Sequence, residues 1–185
     1  MKLIVGLGNP GKEFYGSRHN LGFEVVSSLA KKFNLRFKSD SYSRSEIAKC
    51  RDFVLVKPQT FMNLSGFAVR SLIKRLDLDP KDLLVVFDDI TLDFGRIKIA
   101  ASGSSGGHNG MNSIIESLSS KDFPRLRIGI DSPKRKSYLT DFVLDRFTKE
   151  EAMDIAAIIG LAVDCCCDFV DFRIDYVMNK YNKRK

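Results

Sequence analysis

Short hydrophobic runs recur along the chain and are separated by segments with helical periodicity. Hydrophobic side chains spaced three or four residues apart predict helices over residues 23–33, 67–76 and 111–118. Strands that alternate with helices indicate an α/β fold, here a single domain with a mixed, mainly parallel β-sheet covered by helices. The runs that predict buried strands are rich in Val, Ile, Leu or Phe: Leu3 to Leu7, Phe53 to Val56, Leu83 to Phe87, Ile97 to Ala101 and Leu126 to Ile130.

The C-terminal part of the chain predicts one long helix. Thr148 and Glu151 have the spacing of a capping box, and hydrophobic residues then continue toward Phe172. Two polar segments, Lys38 to Ser45 and Ser132 to Ser137, predict exposed connections. The sequence contains no internal repeat or linker, so we expect one domain over residues 1–185.

Composition indicates a globular protein with a basic surface. Hydrophobic residues make up 44% and charged residues 29%, which excludes a disordered chain and a membrane-embedded one. The first hydrophobic run is too short for a signal peptide or a membrane span, so we expect a cytoplasmic protein. The formal charge of +7 attracts polyanions such as nucleic acids, although a surplus that serves only solubility is an equal alternative.

The cysteines predict reduced thiols that serve packing. Cys165, Cys166 and Cys167 are consecutive, and consecutive helical side chains point about 100° apart. Such thiols cannot converge on one metal ion, and neighbouring cysteines form disulfides poorly.

The first predicted strand leads into Gly-x-Gly-x-x-Gly at residues 6–11, which is the spacing of a dinucleotide-binding motif. In that motif the last glycines open a helix whose N-terminus faces pyrophosphate. Here Pro10 and Gly16 interrupt the segment, and helical spacing resumes only after Asn20. A dinucleotide-dependent oxidoreductase is therefore a disfavoured alternative.

The chain has two histidines, His19 and His108, each in a His-Asn pair followed closely by glycine. Asn20 and Asn109 can each cap the helix that follows, which would place both imidazoles near helix N-termini where the neutral ring is favoured. A neutral imidazole can accept a proton and act as a general base. The alternative is that each histidine only occupies a turn.

Polar groups suited to assist such a base occur elsewhere. Asp88 and Asp89 follow a buried predicted strand, at the end where α/β sheets place functional groups, so one of them is expected to orient an imidazole. The amides of Asn9, Asn63 and Asn109 can donate hydrogen bonds to a carbonyl oxygen that gains negative charge. The sequence has no Gly-x-Ser-x-Gly motif, P-loop or metal-ligand spacing, which leaves water activated by histidine.

Five segments, in this order and spacing, resemble the bacterial-type peptidyl-tRNA hydrolases: KLIVGLGNPGKEFYGSRHN, PQTFMNLSG, VVFDD, GGHNGMNSI and RLRIGID. The similarity extends from Lys2 to about Phe147. It implies a hydrolase that cleaves the ester between a peptide and the 3′-terminal ribose of tRNA, which recycles tRNA in translation. It also implies that peptidyl-tRNA is the partner, that no metal or cofactor is needed, and that the protein is a monomer.

The resemblance further implies roles for individual residues. His19 resembles the general base that activates water, and Asp88 resembles the acid that holds that imidazole in its basic form. Asn9 is similar to the residue that distinguishes blocked peptides from free aminoacyl groups, and Asn109 to the amide that holds water or the oxyanion. The implied substrate contacts are Phe14, Phe61, Met62, Asn63 and a supporting His108, and those to tRNA phosphates are Arg96, Lys98, Arg127 and Lys136.

Three positions depart from the family pattern. Phe14 stands where tyrosine is common, Ala100 replaces the second basic residue of a pair that begins at Lys98, and residues 90–94 differ from the usual Leu-Asp-Leu-Pro type. A non-catalytic RNA-binding relative on the same fold, as in plant organelle splicing factors, is the alternative. The retained His19 and Asp88 favour the enzyme.

Overall fold

The computed structural model describes residues 1–131 and 139–183, with no description of the side chains at 139 and 140. Its strands are β1 (Lys2–Gly6), β2 (Lys38–Asp40), β3 (Ser45–Lys49), β4 (Phe53–Pro58), β5 (Leu83–Asp93), β6 (Ile97–Ala100) and β7 (Arg125–Asp131). Its helices are α1 (Leu21–Lys32), α2 (Ser65–Leu76), α3 (Asn109–Leu118), α4 (Leu139–Leu144), α5 (Lys149–Asp171) and α6 (Ile174–Tyr181).

The strands form one seven-stranded sheet in the order β2-β3-β4-β1-β5-β7-β6. The four central strands, β4, β1, β5 and β7, are parallel, whereas β2, β3 and β6 run antiparallel to their neighbours at the two edges. The predicted mixed, mainly parallel sheet is therefore confirmed. Parallel order brings the carboxyl ends of the central strands to one edge, where α/β folds place their sites.

Hydrophobic layers cover both faces of the sheet. Along β1, Ile4 belongs to the layer that contains α1 and α5, while Leu3 and Val5 belong to the layer that contains α2 and α3. Because successive side chains of a strand point to opposite faces, a strand covered on both faces is hydrophobic at every position. This explains why the central strands read as continuous hydrophobic runs rather than alternating ones.

The segment from Lys38 to Ser45, predicted as an exposed connection, instead contributes to a β-hairpin. Strands β2 and β3 pair antiparallel, and β3 pairs with β4, so that Ile47 reaches the core. The Asp40 carboxylate accepts from the backbone N–H and the hydroxyl of Ser43 and binds Arg75 at 2.8 Å. The hydrogen bonds from Arg75 and Ser43 lower the pKa of Asp40 to about 2. A three-residue edge strand buries few side chains, so its sequence carries little strand signal.

The capping box at the start of α5 is confirmed. Thr148 Oγ1 accepts from the Glu151 backbone N–H at 3.2 Å, and the Glu151 carboxylate accepts from the Thr148 backbone N–H at 2.8 Å. Further along α5, Cys165 and Cys166 are buried in the core, and all four cysteines are free, as the packing role requires. None of the helices that the structure describes combines the length and hydrophobicity needed to cross a lipid bilayer.

Thr148→Ala should lower the free energy of unfolding by about 1 kcal/mol, because it removes the acceptor for one N-terminal N–H of α5. In a chain of this size that corresponds to a fall in Tm of about 2–4 °C, measured by thermal denaturation. Thr148→Ser keeps the hydroxyl and should retain most of the stability. Equal losses in both variants would contradict the capping role.

Candidate active site

A close contact between two glycines positions the first histidine. A Cβ on Gly6 would lie 2.1 Å from the Gly22 carbonyl oxygen, and a Cβ on Gly22 would lie 2.4 Å from the Leu7 nitrogen. The start of α1 can therefore approach the end of β1, where the Phe23 N–H donates to the Leu7 carbonyl at 3.2 Å. The 3₁₀ turn just before α1 carries His19 over this strand end. Only a three-residue 3₁₀ turn, Lys12–Phe14, follows the last glycine of the motif, and not the α-helix that dinucleotide binding would require.

The structure places Asp88 inside a strand rather than at its end. β5 continues to Asp93, so the prediction that Asp88 terminates the buried run was wrong. The neighbouring β1 stops at Gly6, which pairs with Val86. Asp88 therefore lies two residues beyond the last position at which β1 pairs with β5. Its side chain can reach the two histidines, which lie in the segments before α1 and α3.

Asp88 joins both histidines. His19 Nδ1 lies 2.9 Å from Asp88 Oδ1 and 3.0 Å from Oδ2, and His108 Nε2 lies 3.1 Å from Oδ1. The two imidazole rings are 4.7 Å apart between centroids. Asp88 is only 2% exposed and His19 only 7%, so these hydrogen bonds are largely shielded from solvent. The structure thus brings together three residues that are distant in the sequence.

The cap of α3 determines the protonation of His108. His108, rather than the expected Asn109, is the N-cap residue, and its Nδ1 accepts from the backbone N–H groups of Gly110 at 3.1 Å and Met111 at 3.3 Å. A neutral imidazole that accepts at Nδ1 carries its proton at Nε2. His108 Nε2 therefore donates to Asp88 Oδ1.

The proton of His19 is assigned by the same reasoning. Burial raises the pKa of Asp88, but Coulombic attraction to either histidine when its ring is protonated, together with the two hydrogen bonds, lowers it further, so that the pKa lies well below its ordinary value and Asp88 stays ionised. An ionised carboxylate can only accept, so His19 Nδ1 carries a proton and donates it. The neutral His19 ring then has its free lone pair at Nε2.

The same three side chains form a possible metal-ligand cluster among the residues that the structure describes. Their contacts are explained by hydrogen bonds, since each N···O distance of 2.9–3.1 Å joins a protonated ring nitrogen to the carboxylate. His108 cannot offer Nε2 to a metal while Nδ1 caps α3. The donor set therefore fits a proton-transfer site better than a cation site.

The second acid of the pair has a different partner. Asp89 accepts from Arg127 Nε at 2.5 Å and from the backbone and hydroxyl of Thr91. Sequence spacing left open which aspartate faces a histidine, and the structure assigns that position to Asp88. Arg127 is correspondingly tied to Asp89 rather than free.

A network of amides connects Asn9 to the histidine turn. Asn20, expected to cap α1, uses its side chain instead to accept from the Asn9 N–H at 2.8 Å and to donate to the Asn9 carbonyl at 3.0 Å. Asn9 Oδ1 in turn accepts from the Met62 N–H at 2.8 Å. Its amide NH₂ group has no partner among the described residues, so it can donate to another molecule.

A cavity of about 230 Å³ opens over the histidine pair. Four of the predicted site residues line this cavity: His19, Asp88, His108 and Asn109. Asn9 and the residues around Asn63 do not line it. Asp89, the other predicted aspartate, lines it as well. The lining residues that the sequence did not indicate come from the middle of β5, the glycine-rich loop before His108 and α4: Ile90, Ser105, Gly106, Gly107 and Val143. The repeated serine and glycine before the second histidine was the available signal for that loop.

The predicted substrate contacts differ in exposure. Phe61 and Asn63 are exposed, and Phe14 is half-buried in a 3₁₀ turn. Met62, also predicted as a contact, belongs to the hydrophobic core, and a Cβ on Gly110 would lie 2.5 Å from its Sδ. Met62 therefore has a supporting position: its backbone N–H binds Asn9, and its side chain packs against Gly110.

The predicted phosphate contacts lie near the β6 edge of the sheet. Lys98 on β6 pairs in register with Arg127 on β7, and Arg96 is exposed just before β6. Lys136 lies outside the described residues, as does the whole of the predicted connection Ser132 to Ser137 that contains it. Ala100, which departs from the family pattern, is opposite Arg125.

Arg18, which directly precedes His19 in the first family segment, has a structural role that its sequence does not indicate. Its guanidinium binds Glu151 at 2.6 Å and stacks on Phe142 and Phe147, with 4.3 and 4.8 Å to the ring centroids. Its backbone N–H donates to the Asp145 backbone carbonyl at 3.0 Å. Arg18 thus fastens α4 and the start of α5 to the turn that carries His19.

Comparison with known proteins identifies the family. Residues 3–185 match the family model described as peptidyl-tRNA hydrolase. Proteins named peptidyl-tRNA hydrolase from Sulfurihydrogenibium sp. and Persephonella marina are 42% and 41% identical, over 99% and 100% of this chain and 98% of each relative. The crystal structure of peptidyl-tRNA hydrolase from Acinetobacter baumannii superposes with a TM-score of 0.92 at 33% identity, covering 100% of this chain and 96% of that one. Since profile, sequence and fold agree over almost the entire length, the chain belongs to the peptidyl-tRNA hydrolase family.

Proposed function

We propose that this protein hydrolyses the ester bond of peptidyl-tRNA with His19 as the general base. The observation that supports this most directly is the hydrogen bond from His19 Nδ1 to the buried Asp88 carboxylate, which leaves Nε2 unprotonated at a cavity. The relatives named above carry the activity in their names, and this chain shares their fold along its whole length.

The proposed reaction follows from the proton at Nδ1. His19 Nε2 takes a proton from water, and the water oxygen forms a bond to the ester carbonyl carbon. Asn109, at the cavity, donates to the carbonyl oxygen as it becomes an oxyanion. When the bond to the ribose oxygen breaks, protonated His19 returns the proton to that oxygen. The products are a peptide with a free carboxylate and a tRNA with a free 3′-terminal ribose.

Asp88 and His108 support this base without contacting the substrate. Asp88 holds His19 in the reactive tautomer and stabilises the imidazolium that forms after proton transfer. His108 donates to the same carboxylate and fixes its orientation. Asn9 can donate its NH₂ group to the carbonyl oxygen of the acyl group that blocks the amino end of the last peptide residue, which would explain a preference for peptidyl over aminoacyl groups.

The remaining proposals concern the tRNA and the working state of the protein. Arg96, Lys98 and Arg127 would contact phosphates, with Asp89 orienting the guanidinium of Arg127. Lys136, outside the described residues, remains in this group by the sequence resemblance alone. We also propose that the protein works as a monomer in the cytoplasm, where translation supplies the substrate.

Purified protein should cleave an N-acetylated aminoacyl-tRNA and leave the unblocked aminoacyl-tRNA intact, with chelator present and no metal added. His19→Ala should lower the rate by about 10²–10⁴ while the tRNA still binds, because only the base is removed. Release of labelled amino acid and a filter-binding assay measure the two properties. A variant with normal turnover would refute His19 as the base, and a wild-type protein that binds tRNA without cleaving would favour the RNA-binding alternative.

Asp88→Asn should lower kcat by about 10²–10⁴, because a neutral amide can stabilise the wrong tautomer of His19. Asp89→Asn is the matched control, and it should act mainly on KM through Arg127. Equal falls in kcat would contradict the assignment of Asp88.

The pH dependence of stability checks the same residue. The folded-state pKa of Asp88 lies below its ordinary value of 3.8, so its carboxylate stabilises the fold above that pH. This contribution is lost only as the pH falls through the depressed pKa. The difference in free energy of unfolding between wild type and Asp88→Asn should therefore persist from neutral pH down to about pH 4.

KM for the tRNA substrate should rise steeply with salt, because each neutralised phosphate releases counterions. Lys98→Ala should reduce the slope of log KM against log salt by about one unit. Lys31→Ala, an exposed lysine on α1, is the control and should leave the slope unchanged. A KM that does not depend on salt would contradict phosphate binding.

A further inference from the structure

The two sides of the candidate active site differ in chemistry. Toward β7 and β6 lie the basic side chains proposed to bind phosphates. On the other side, past β1, the segment after β4 and the start of α2 expose three large hydrophobic side chains: Phe61, Leu64 and Phe67. These are 60%, 54% and 46% exposed. Single exposed hydrophobic residues are normal on a protein surface, whereas a group of them beside a site is typical of a binding surface.

The three hydrophobic residues form a row that starts at the site. They are three positions apart. Phe61 is the extended residue that precedes a 3₁₀ turn over Met62–Leu64, and Phe67 lies in the first turn of α2. The spacing of Leu64 and Phe67 places these two side chains on one side. The Leu64 N–H donates to the Phe61 carbonyl at 2.8 Å, which fixes the first step of the row. Phe61 also precedes Met62, whose N–H binds Asn9. We call Phe61, Leu64 and Phe67 the apolar row.

A cationic side chain lies next to Phe67, at the end of the row that is farther from the site. The guanidinium of Arg44, in the turn between β2 and β3, lies 5.1 Å from the centroid of the Phe67 ring. Arg44 has a φ of 49°, a left-handed conformation that is uncommon for residues other than glycine. Among the described residues no carboxylate forms an ion pair with it, so its N–H groups can donate to another molecule.

We propose that the apolar row together with Arg44 binds the nascent peptide of the substrate. This inference rests on the proposed function, because the reacting ester divides the substrate into a tRNA half and a peptide half. If the tRNA follows the basic side chains near β6, the peptide leaves the site on the opposite side. There it meets the apolar row, where hydrophobic side chains cover Leu64 and Phe67, and Arg44 donates to peptide carbonyl oxygens.

The dimensions and charge fit a short stretch of extended peptide. The six steps from Phe61 to Phe67, at about 1.5–2 Å each, span about 9–12 Å, which matches about three residues of extended chain. The row therefore contacts the residues just before the one esterified to tRNA. A nucleic acid is a poorer occupant, because its binding depends on neutralising several phosphates. Among the described residues, Arg44 is the cation that contacts a ring of the row.

Three substrates with the same tRNA and the same esterified residue test the proposal. One is the N-acetylated aminoacyl-tRNA, which is too short to reach Phe67, and two are pentapeptidyl-tRNAs with either leucine and valine or serine and glycine before the last residue. For wild type, KM should be lowest for the hydrophobic pentapeptide. Phe67→Glu should raise that KM about five- to tenfold and leave KM for the N-acetylated substrate within about twofold, because it removes only apolar contact area far from the base.

Two further variants guard against an indirect effect. Arg44→Asn tolerates the left-handed conformation and should raise KM for both pentapeptides but not for the N-acetylated substrate. Tyr176→Glu, an aromatic residue of similar exposure on α6, should change none of the three. Circular dichroism confirms that each variant is folded.

The outcomes separate the two proposals. An equal change for all three substrates in Phe67→Glu would indicate contact with the tRNA and overturn the peptide assignment, as would no change for any of them. Failure of the wild-type protein to cleave even the N-acetylated substrate would instead refute the proposed function.

Discussion

The candidate site depends on a single buried carboxylate that is shared by two imidazoles. Asp88 is almost inaccessible to solvent, and a buried charge is unfavourable unless it is paired and hydrogen-bonded. His19 and His108 supply those hydrogen bonds from two different helix starts. The same contacts that satisfy the charge also determine where each ring carries its proton. Stability of the buried group and reactivity of His19 are therefore consequences of one arrangement.

Several elements converge to keep this arrangement in place. The contact between Gly6 and Gly22 brings α1 against β1, the cap at His108 fixes the start of α3, and Arg18 ties the α4 region to the histidine turn. Removing the partner of a buried charge costs far more than removing an exposed ion pair. The Arg18 and Glu151 pair is of the buried kind, with side chains only 4% and 11% exposed. It links the capping box of α5 directly to the position of His19.

Much of the fold could be predicted from the sequence because its signals are local. The central strands are buried on both faces, and their unbroken hydrophobic runs were recognised together with α1, α2, α3 and the capping box of α5. The hairpin of β2 and β3 was missed, because an edge strand with polar residues on its solvent side resembles a loop. The length of β5 was underestimated, because Asp88 and Asp89 read as polar residues at a strand end although both are buried.

By itself the sequence determined the order of the central strands and the helices between them, the family and the set of chemical groups: two histidines, a pair of aspartates and several amides. Apart from the family resemblance, the spacing of residues could not decide which aspartate faces a histidine, which residue caps α3, or that Arg127 is held by Asp89. Tertiary structure decided these because they depend on distances between residues far apart in the chain, and such distances follow from the order in which strands pair. Local periodicity records which faces are buried, whereas hydrogen bonds between distant side chains exist only after the sheet has assembled.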